Sequence, residues 1–332
     1  MQTQFNQKIP LKYDNFTYGV RRMIWGYFKK LVISDRIAFI VTAIFGQYHE
    51  AGFFLITFGT LCYAIQLYTD FSGCMDIITG VSTIFGIKLP ENFKTPFYSE
   101  SVQEFWQRWH ITLGIWFKNY FMYPIQKSDF VQGLGKWAKN KLGKKAGKKV
   151  PFYVSMILLW ILIGIWHGGT GYYFIASAMI PCFYLIISDI CQPLLQKFVE
   201  VIGINTSKLS WKIFRRIRTL LLICVCWLFV CSNGTHAAFA AIKQMLSSFS
   251  GNIGIIDILR SIDKISFRSL AAMSLAIIIL FTVEHVSQKE QNLFSVLDKK
   301  SFPFRVAMIY LEVLMIVLCG VIESSQFIYF QF

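Results

Sequence analysis

Val150-Pro151-Phe152-Tyr153-Val154-Ser155-Met156-Ile157-Leu158-Leu159-Trp160-Ile161-Leu162-Ile163-Gly164-Ile165-Trp166 carries no charged side chain and runs directly into His167-Gly168-Gly169. At about 1.5 Å of rise per residue, such a run is just long enough to cross the hydrocarbon of a bilayer as a helix. An ionisable side chain at membrane depth is costly, so it usually lines a polar cavity or pathway. The chain has only five histidines. A second, His110, sits among aromatics in Glu104-Phe105-Trp106-Gln107-Arg108-Trp109-His110-Ile111-Thr112. Histidine is the side chain best suited to moving protons near neutral pH. The two therefore point to a membrane-enclosed reaction centre.

Composition supports the same class. The 332 residues are 55% hydrophobic and 17% aromatic, and only 15% charged, against about a quarter in soluble domains. Apolar runs recur along the whole length, so one polytopic all-α membrane protein is expected, a single integral membrane domain over 1–332. The net charge of +15 lies in short connections between apolar runs, as the positive-inside rule requires, so no nucleic acid is expected as partner. Met1–Asn15 lacks the apolar core of a signal peptide. The eight cysteines show no Cys-x-x-Cys pair and read as buried free thiols, and no metal site is expected.

The expected order begins with a polar segment, 1–17. Residues 18–126 follow with interfacial helices, two spans and the His110 helix. Phe16–Arg36, with Arg21, Arg22, Lys29, Lys30 and Arg36, is read as an amphipathic stretch along the cytoplasmic interface. Spans are expected over Leu31–Tyr48 and Phe53–Tyr68, then a polar helix over Asp70–Gly86. Ser101 and Glu104 form the start signal of a helix that runs to Tyr123 and stops before Pro124. Its polar load (Glu104, Gln107, Arg108, His110, Lys118, Asn119) requires a re-entrant or protein-enclosed setting. The segment 127–149, with eight lysines and one aspartate, is expected as a cytoplasmic loop. Residues 150–332 supply spans over Val150–Trp166, Tyr172–Ile190, Thr219–Cys231, Leu270–Val286 and Val306–Ile322. A loop over Ser232–Ser266, with a short helix at Ala237–Ser247, is expected outside.

No soluble-enzyme signature occurs: no Gly-x-Ser-x-Gly, no phosphate-binding Gly-x-x-x-x-Gly-Lys, no His-Glu-x-x-His. What remains is histidine without a side-chain nucleophile, which suits a base that deprotonates a substrate hydroxyl. Trp106, Trp109, Trp116 and Trp166 are candidates to wall a dry pocket around it.

Four ordered motifs carry a family resemblance: Tyr68-Thr69-Asp70-Phe71-Ser72-Gly73, Leu89-Pro90-Glu91-Asn92-Phe93-Lys94-Thr95-Pro96-Phe97, Phe105-Trp106-Gln107-Arg108-Trp109-His110-Ile111-Thr112-Leu113 and Gly164-Ile165-Trp166-His167-Gly168. In this order they resemble the membrane-bound O-acyltransferase (MBOAT) superfamily, most closely the alginate O-acetyltransferase membrane subunit branch. The tail Phe327–Phe332 is similar to that branch as well. The resemblance implies a helical fold with re-entrant and interfacial helices around a central tunnel. It implies His167 as catalytic histidine and His110 as the second, with Trp106, Arg108, Trp109, Trp166, Asp70 and Asn92 along the substrate tunnel. It further implies transfer of an acyl group, acetyl first, from a cytoplasmic-side thioester to a hydroxyl of an extracellular or periplasmic polysaccharide or carrier. The donor is a co-substrate, acetyl-CoA or an acyl-carrier thioester, with no tightly bound cofactor. D-alanyl transfer to teichoic acid and a catalytically silent membrane scaffold or transport component are the alternatives. Implied partners are membrane lipid, the envelope polymer and a secreted or periplasmic acyltransferase-esterase. Because the family carries further helices ahead of the segment matching Tyr18, a separate N-terminal membrane segment is also implied. The implied location is the bacterial plasma membrane, crossed several times.

Overall fold

The computed structural model describes Gln4, Asn6 and residues 10–169, 171–232, 234–262, 266–290 and 293–321. The tail Phe327–Phe332 lies outside the described residues. Among those described, the chain is almost wholly helical, and its one β feature is an isolated bridge between Ala51 and Gly251. Two compact units form, one from Met1–Thr95 with Ala240–Phe332 and one from Pro96–Phe239.

The first unit opens with α1 (Tyr13–Tyr27), a π-helical stretch over Phe28–Ser34, α2 (Asp35–Gly46) and α3 (Phe53–Ile84). The expected span Phe53–Tyr68 and the polar helix Asp70–Gly86 that continues it form one helix, α3, up to Ile84. Its apolar residues surround it rather than forming one stripe, and that pattern belongs to a helix buried on most sides. The main packing contact is α1 against α3, and small residues make it. A Cβ on Gly19 would stand 2.5 Å from the Gly80 carbonyl oxygen, and one on Gly26 would stand 2.6 Å from that of Gly73. Backbones this close need glycine on both helices.

An ionic network begins between those glycine contacts, at Arg22 and Asp76, and continues past Gly26. Arg22 Nε donates to Asp76 Oδ1 at 3.0 Å, and its Nη1 donates to Glu91 Oε1 at 2.7 Å. Lys29 Nζ lies 2.5 Å from Asp76 Oδ2 and 2.8 Å from Ser72 Oγ. Lys30 Nζ meets Asp70 at 2.7 Å and Asp35 at 2.8 Å. Arg36 donates to the Cys319 carbonyl. This corrects the reading of Phe16–Arg36 as a stretch whose basic residues lie at the lipid interface, because Arg22, Lys29, Lys30 and Arg36 are all buried. Their carboxylate partners come mostly from distant segments, and a buried charge is tolerable only when paired. The expected span Leu31–Tyr48 falls partly on the π-helical stretch, which ends at Ser34, and mostly on α2, with Val32–Ile37 buried.

The second unit holds α4 (Val102–Arg108), α5 (Ile111–Phe117), α6 (Tyr123–Lys127), α7 (Asp129–Leu142), α8 (Lys144–Trp166), α9 (Gly171–Phe174), α10 (Ile180–Ile202) and α11 (Leu209–Cys231). The expected lysine loop is mostly helix: α7 is amphipathic and turns into α8 at Gly143, whose φ is +92°. Gly135 on α7 fits against Pro151 and Gly147, where a Cβ would meet Pro151 Cγ at 2.8 Å. The chain also passes through Pro124 instead of stopping. A π-helical turn over Lys118–Met122 precedes it, and such turns absorb a missing N–H and the clash of the ring with the preceding turn. After α11, α12 (Thr235–Ser247) leads back to the first unit, followed by α13 (Ile255–Arg260), α14 (Phe267–Glu290), α15 (Leu293–Asp298) and α16 (Phe302–Cys319).

Four helical stretches among the described residues are long and apolar enough to cross a membrane: Lys144–Trp166, Gly171–Ile202, Phe267–Lys289 and Phe302–Cys319. These match four of the expected spans. Little of each is covered by protein, 22%, 22%, 17% and 6%, so most of their surface is left for lipid. The protein is an integral membrane protein with an all-α architecture.

Candidate active site

Both histidines sit at helix ends in the second unit, and each end has a local cause. Ser101 caps α4 by accepting from the Glu104 N–H at 3.1 Å, while the Glu104 carboxylate reaches back to the Glu100 N–H at 2.7 Å. Arg108 Nη2 holds the other Glu104 oxygen at 2.7 Å. The helix then stops where sequence reading continued it: Trp109 is extended, and His110 takes φ +47°, ψ +50°. A non-glycine residue in the left-handed region carries strain of about 1–3 kcal/mol and marks a position the surroundings enforce. Among the described residues only Thr95 shares this feature. The His110 carbonyl accepts from Gly114 N–H and so opens α5.

His167 closes α8. Its N–H donates to Ile163 O at 3.0 Å, then Gly168 and Gly169 turn left-handed at φ +96° and +67°, and Gly169 N–H bonds Gly164 O. Glycine releases the chain here without steric cost. Gly164 seats the same end of α8 closely, since a Cβ there would lie 2.7 Å from Ala178 Cβ.

Trp166 joins the two histidines. Its ring lies 4.8 Å from the His167 ring and 6.2 Å from the His110 ring, centroid to centroid. Phe117 packs edge-on to Trp166 at 6.4 Å. Trp106 packs on Trp160 at 5.4 Å, beside the core of Met156, Trp160 and Cys182, and its indole N–H is buried with no hydrogen-bond partner. Trp109 stacks on Phe105 at 5.5 Å and meets Trp227 at 5.3 Å. Trp116 is half-exposed and packs on Tyr120 and Phe121.

Of the residues singled out from sequence, His110, His167, Trp106, Arg108, Trp109 and Trp166 thus share one unit. Asp70 and Asn92 belong to the other, where both are buried and Asp70 binds Lys30. Sequence reading missed the residues that fix the entrance of α4. Arg215 Nη1 lies 3.0 Å from Glu100 Oε2, and Arg218 donates to the Glu100 carbonyl at 2.9 Å. In the sequence these arginines are only part of a basic stretch, Lys208 to Arg218, with nothing local to name Glu100 as their partner. No group of three or more metal-ligating side chains occurs among the described residues.

A histidine pair against an indole in a helical membrane protein suits proton transfer at a substrate hydroxyl, as in acyl transfer. Residues 1–135 match the profile of the MBOAT, membrane-bound O-acyltransferase family, and this match supports placement in the MBOAT superfamily. The chain is similar to the probable alginate O-acetylase of Pseudomonas syringae pv. tomato, 32% identical over 74% of this chain and 41% of that protein. It is similar to the peptidoglycan O-acetyltransferase of Helicobacter pylori, 32% identical over 65% of this chain and 39% of that one. The teichoic acid D-alanyltransferase of Bacillus subtilis is 29% identical over 66% of this chain and 50% of its own length. The chain therefore spans half or less of the length of these relatives.

Proposed function

We propose that this chain carries the reaction centre of a membrane O-acyltransferase, residues 1–332 acting as one integral membrane domain. The observation that supports this most directly is the meeting of His110 and His167 at Trp166, although they lie 57 positions apart in sequence. In this reading His167 takes the proton of an acceptor hydroxyl. The oxygen attacks the thioester carbonyl, the carbon–sulfur bond breaks, and the departing thiolate takes up the proton. His110, held by its strained backbone, orients the acceptor or donor. Trp106, Trp109 and Trp166 keep water away, and Arg108 holds the α4 end through Glu104. Asp70 and Asn92 contribute to the path walls of the other unit. The acceptor is a hydroxyl of a cell-envelope polysaccharide, the donor an acetyl thioester presented from the cytoplasmic side. A secreted acyltransferase-esterase carries the group onward.

The test is acylated polymer per folded protein in membranes holding the complete transfer system. His167→Ala is expected to lower turnover by about a hundredfold to ten-thousandfold, the range general-base catalysis supplies. His110→Ala is expected to leave measurable residual turnover. Near-normal acylation in a His110→Ala/His167→Ala double variant would establish a silent scaffold instead. The second reading, D-alanyl transfer to teichoic acid, rests on the similarity to the Bacillus subtilis protein. Offering acetyl and D-alanyl thioesters side by side separates the two.

A further inference from the structure

The unit built from Met1–Thr95 and Ala240–Phe332 contains a cavity of about 720 Å³ that shares no residue with the histidine site. It lies among the first turns of α1, the last turn of α3 and the first turns of α16, and its volume is that of a small-molecule site.

Its charged lining is unevenly paired. Arg21 Nη1 binds Asp298 Oδ1 at 2.8 Å. Arg305 Nη1 lies 3.8 Å from the same oxygen, beyond hydrogen-bond reach, and its Nε is buried with no hydrogen-bond partner. Asp14 also lines the cavity, so two guanidiniums and two carboxylates are present. Arg305 also stands 6.0 Å over the Phe302 ring and keeps only the long contact to Asp298, so its buried Nε is the donor left for an anion. A guanidinium presents paired planar donors that match phosphate oxygens.

The other wall is apolar and directional. Phe302, Val306 and Ile309 line the cavity, and their spacing places them on one face of α16. This helix is the membrane-length stretch least covered by protein, so the face leads from the cavity into hydrocarbon. The connection before it carries Lys289, Lys299 and Lys300, which places this end of α16 at the cytoplasmic leaflet. The lining is charge-balanced overall, but Arg305 at that depth presents a cation suited to an anionic headgroup.

We infer that this cavity binds an anionic phospholipid of the cytoplasmic leaflet, its phosphate on Arg305 and Arg21 and one acyl chain along Phe302, Val306 and Ile309. The site is independent of the acyl-transfer reading. A phosphate of the thioester donor offers the same headgroup chemistry, but it has no use for an apolar face that continues into the bilayer.

The test takes the full chain in detergent and measures ligand retention by native mass spectrometry. The probes are phosphatidylglycerol, phosphatidylcholine, inorganic phosphate and coenzyme A. Phosphatidylglycerol is expected to be retained over phosphatidylcholine. Arg305→Gln is expected to weaken retention about tenfold or more, the loss of a charge-assisted pair. Val306→Trp, which fills the apolar side and leaves both arginines, is expected to do the same. Lys300→Gln, the same charge change outside the cavity, is expected to leave retention unchanged. Arg305→Lys guards against a folding artefact and is expected to retain more lipid than Arg305→Gln. Equal retention of the two lipids, equal loss in Lys300→Gln, or equal loss in both Arg305 variants would overturn the inference. Retention of coenzyme A or phosphate unaffected by Val306→Trp, without retention of phosphatidylglycerol, would overturn it in favour of a soluble phosphate ligand.

Discussion

Gly26→Ala is the sharpest probe of the α1–α3 contact. The added methyl would lie 2.6 Å from the Gly73 carbonyl oxygen, 2.7 Å from Ile77 Cγ1 and 3.0 Å from the Ile77 nitrogen. Ile77 Cγ1 can swing away, but the two backbone atoms cannot, so the helices must separate. Overpacking of this kind costs about 1–3 kcal/mol, and the better helix propensity of alanine returns at most about 1 kcal/mol. Separation also strains what lies between the glycines. Arg22 sits between Gly19 and Gly26, and Asp76 between Gly73 and Gly80, and their 3.0 Å bond spans the gap. A net loss of about 1–2 kcal/mol follows, which lowers a melting temperature by roughly 2–8 °C for a domain of this size. The assay is thermal unfolding in detergent, followed by a thiol-reactive dye that reports exposure of buried Cys62 and Cys74. Gly133→Ala serves as control, because nothing lies within 4 Å of its added methyl. It is expected to be neutral or slightly stabilising. A Gly26→Ala protein that melts with or above Gly133→Ala would refute close backbone contact at this crossing.

Further outcomes are expected. Asp76→Asn leaves Arg22 and Lys29 without their shared carboxylate and is expected to cost about 3–5 kcal/mol, read as loss of folded protein after extraction. Adding Lys29→Met should recover part of that loss, and no recovery would argue against a shared site. At position 110, glycine relieves the left-handed strain and alanine does not, so His110→Gly should melt above His110→Ala while both impair acyl transfer. Single cysteines at Lys144 and Asn252, in a background cleared of native cysteines, test sidedness. An impermeant thiol reagent on intact cells should label position 252 and not 144, and the reverse pattern would invert the topology.

Much of the architecture was legible from residue order. The apolar runs beginning at Lys144, Gly171, Phe267 and Phe302 declare membrane-length helices, because a bilayer imposes length and apolarity on one continuous stretch. The capping signal at Ser101 and Glu104 is local and held, shifted only in that Glu104 serves the Glu100 N–H. His110 and His167 were also visible, since a rare ionisable residue in apolar surroundings stands out in any order.

Partnership was not legible. The basic residues from Arg22 to Arg36 form, on paper, a lipid-facing amphipathic stretch, and nothing local says otherwise. Only the fold brings Asp70, Asp76 and Glu91 to them and turns a surface reading into a buried network. The paired glycines at 19 and 26 and at 73 and 80 share a seven-residue spacing that could have signalled the crossing, but spacing alone does not name the partner helix. The break at His110 was at most weakly signalled: histidine enters the left-handed region more readily than most residues, but only the structure shows it there, with Trp109 and Trp166 packed on either side. Sequence by itself determined which segments are apolar, where a helix can start and which residues can carry a proton. Tertiary structure alone decided which charges are paired and which two histidines share an indole, because both depend on distances between segments far apart in the chain.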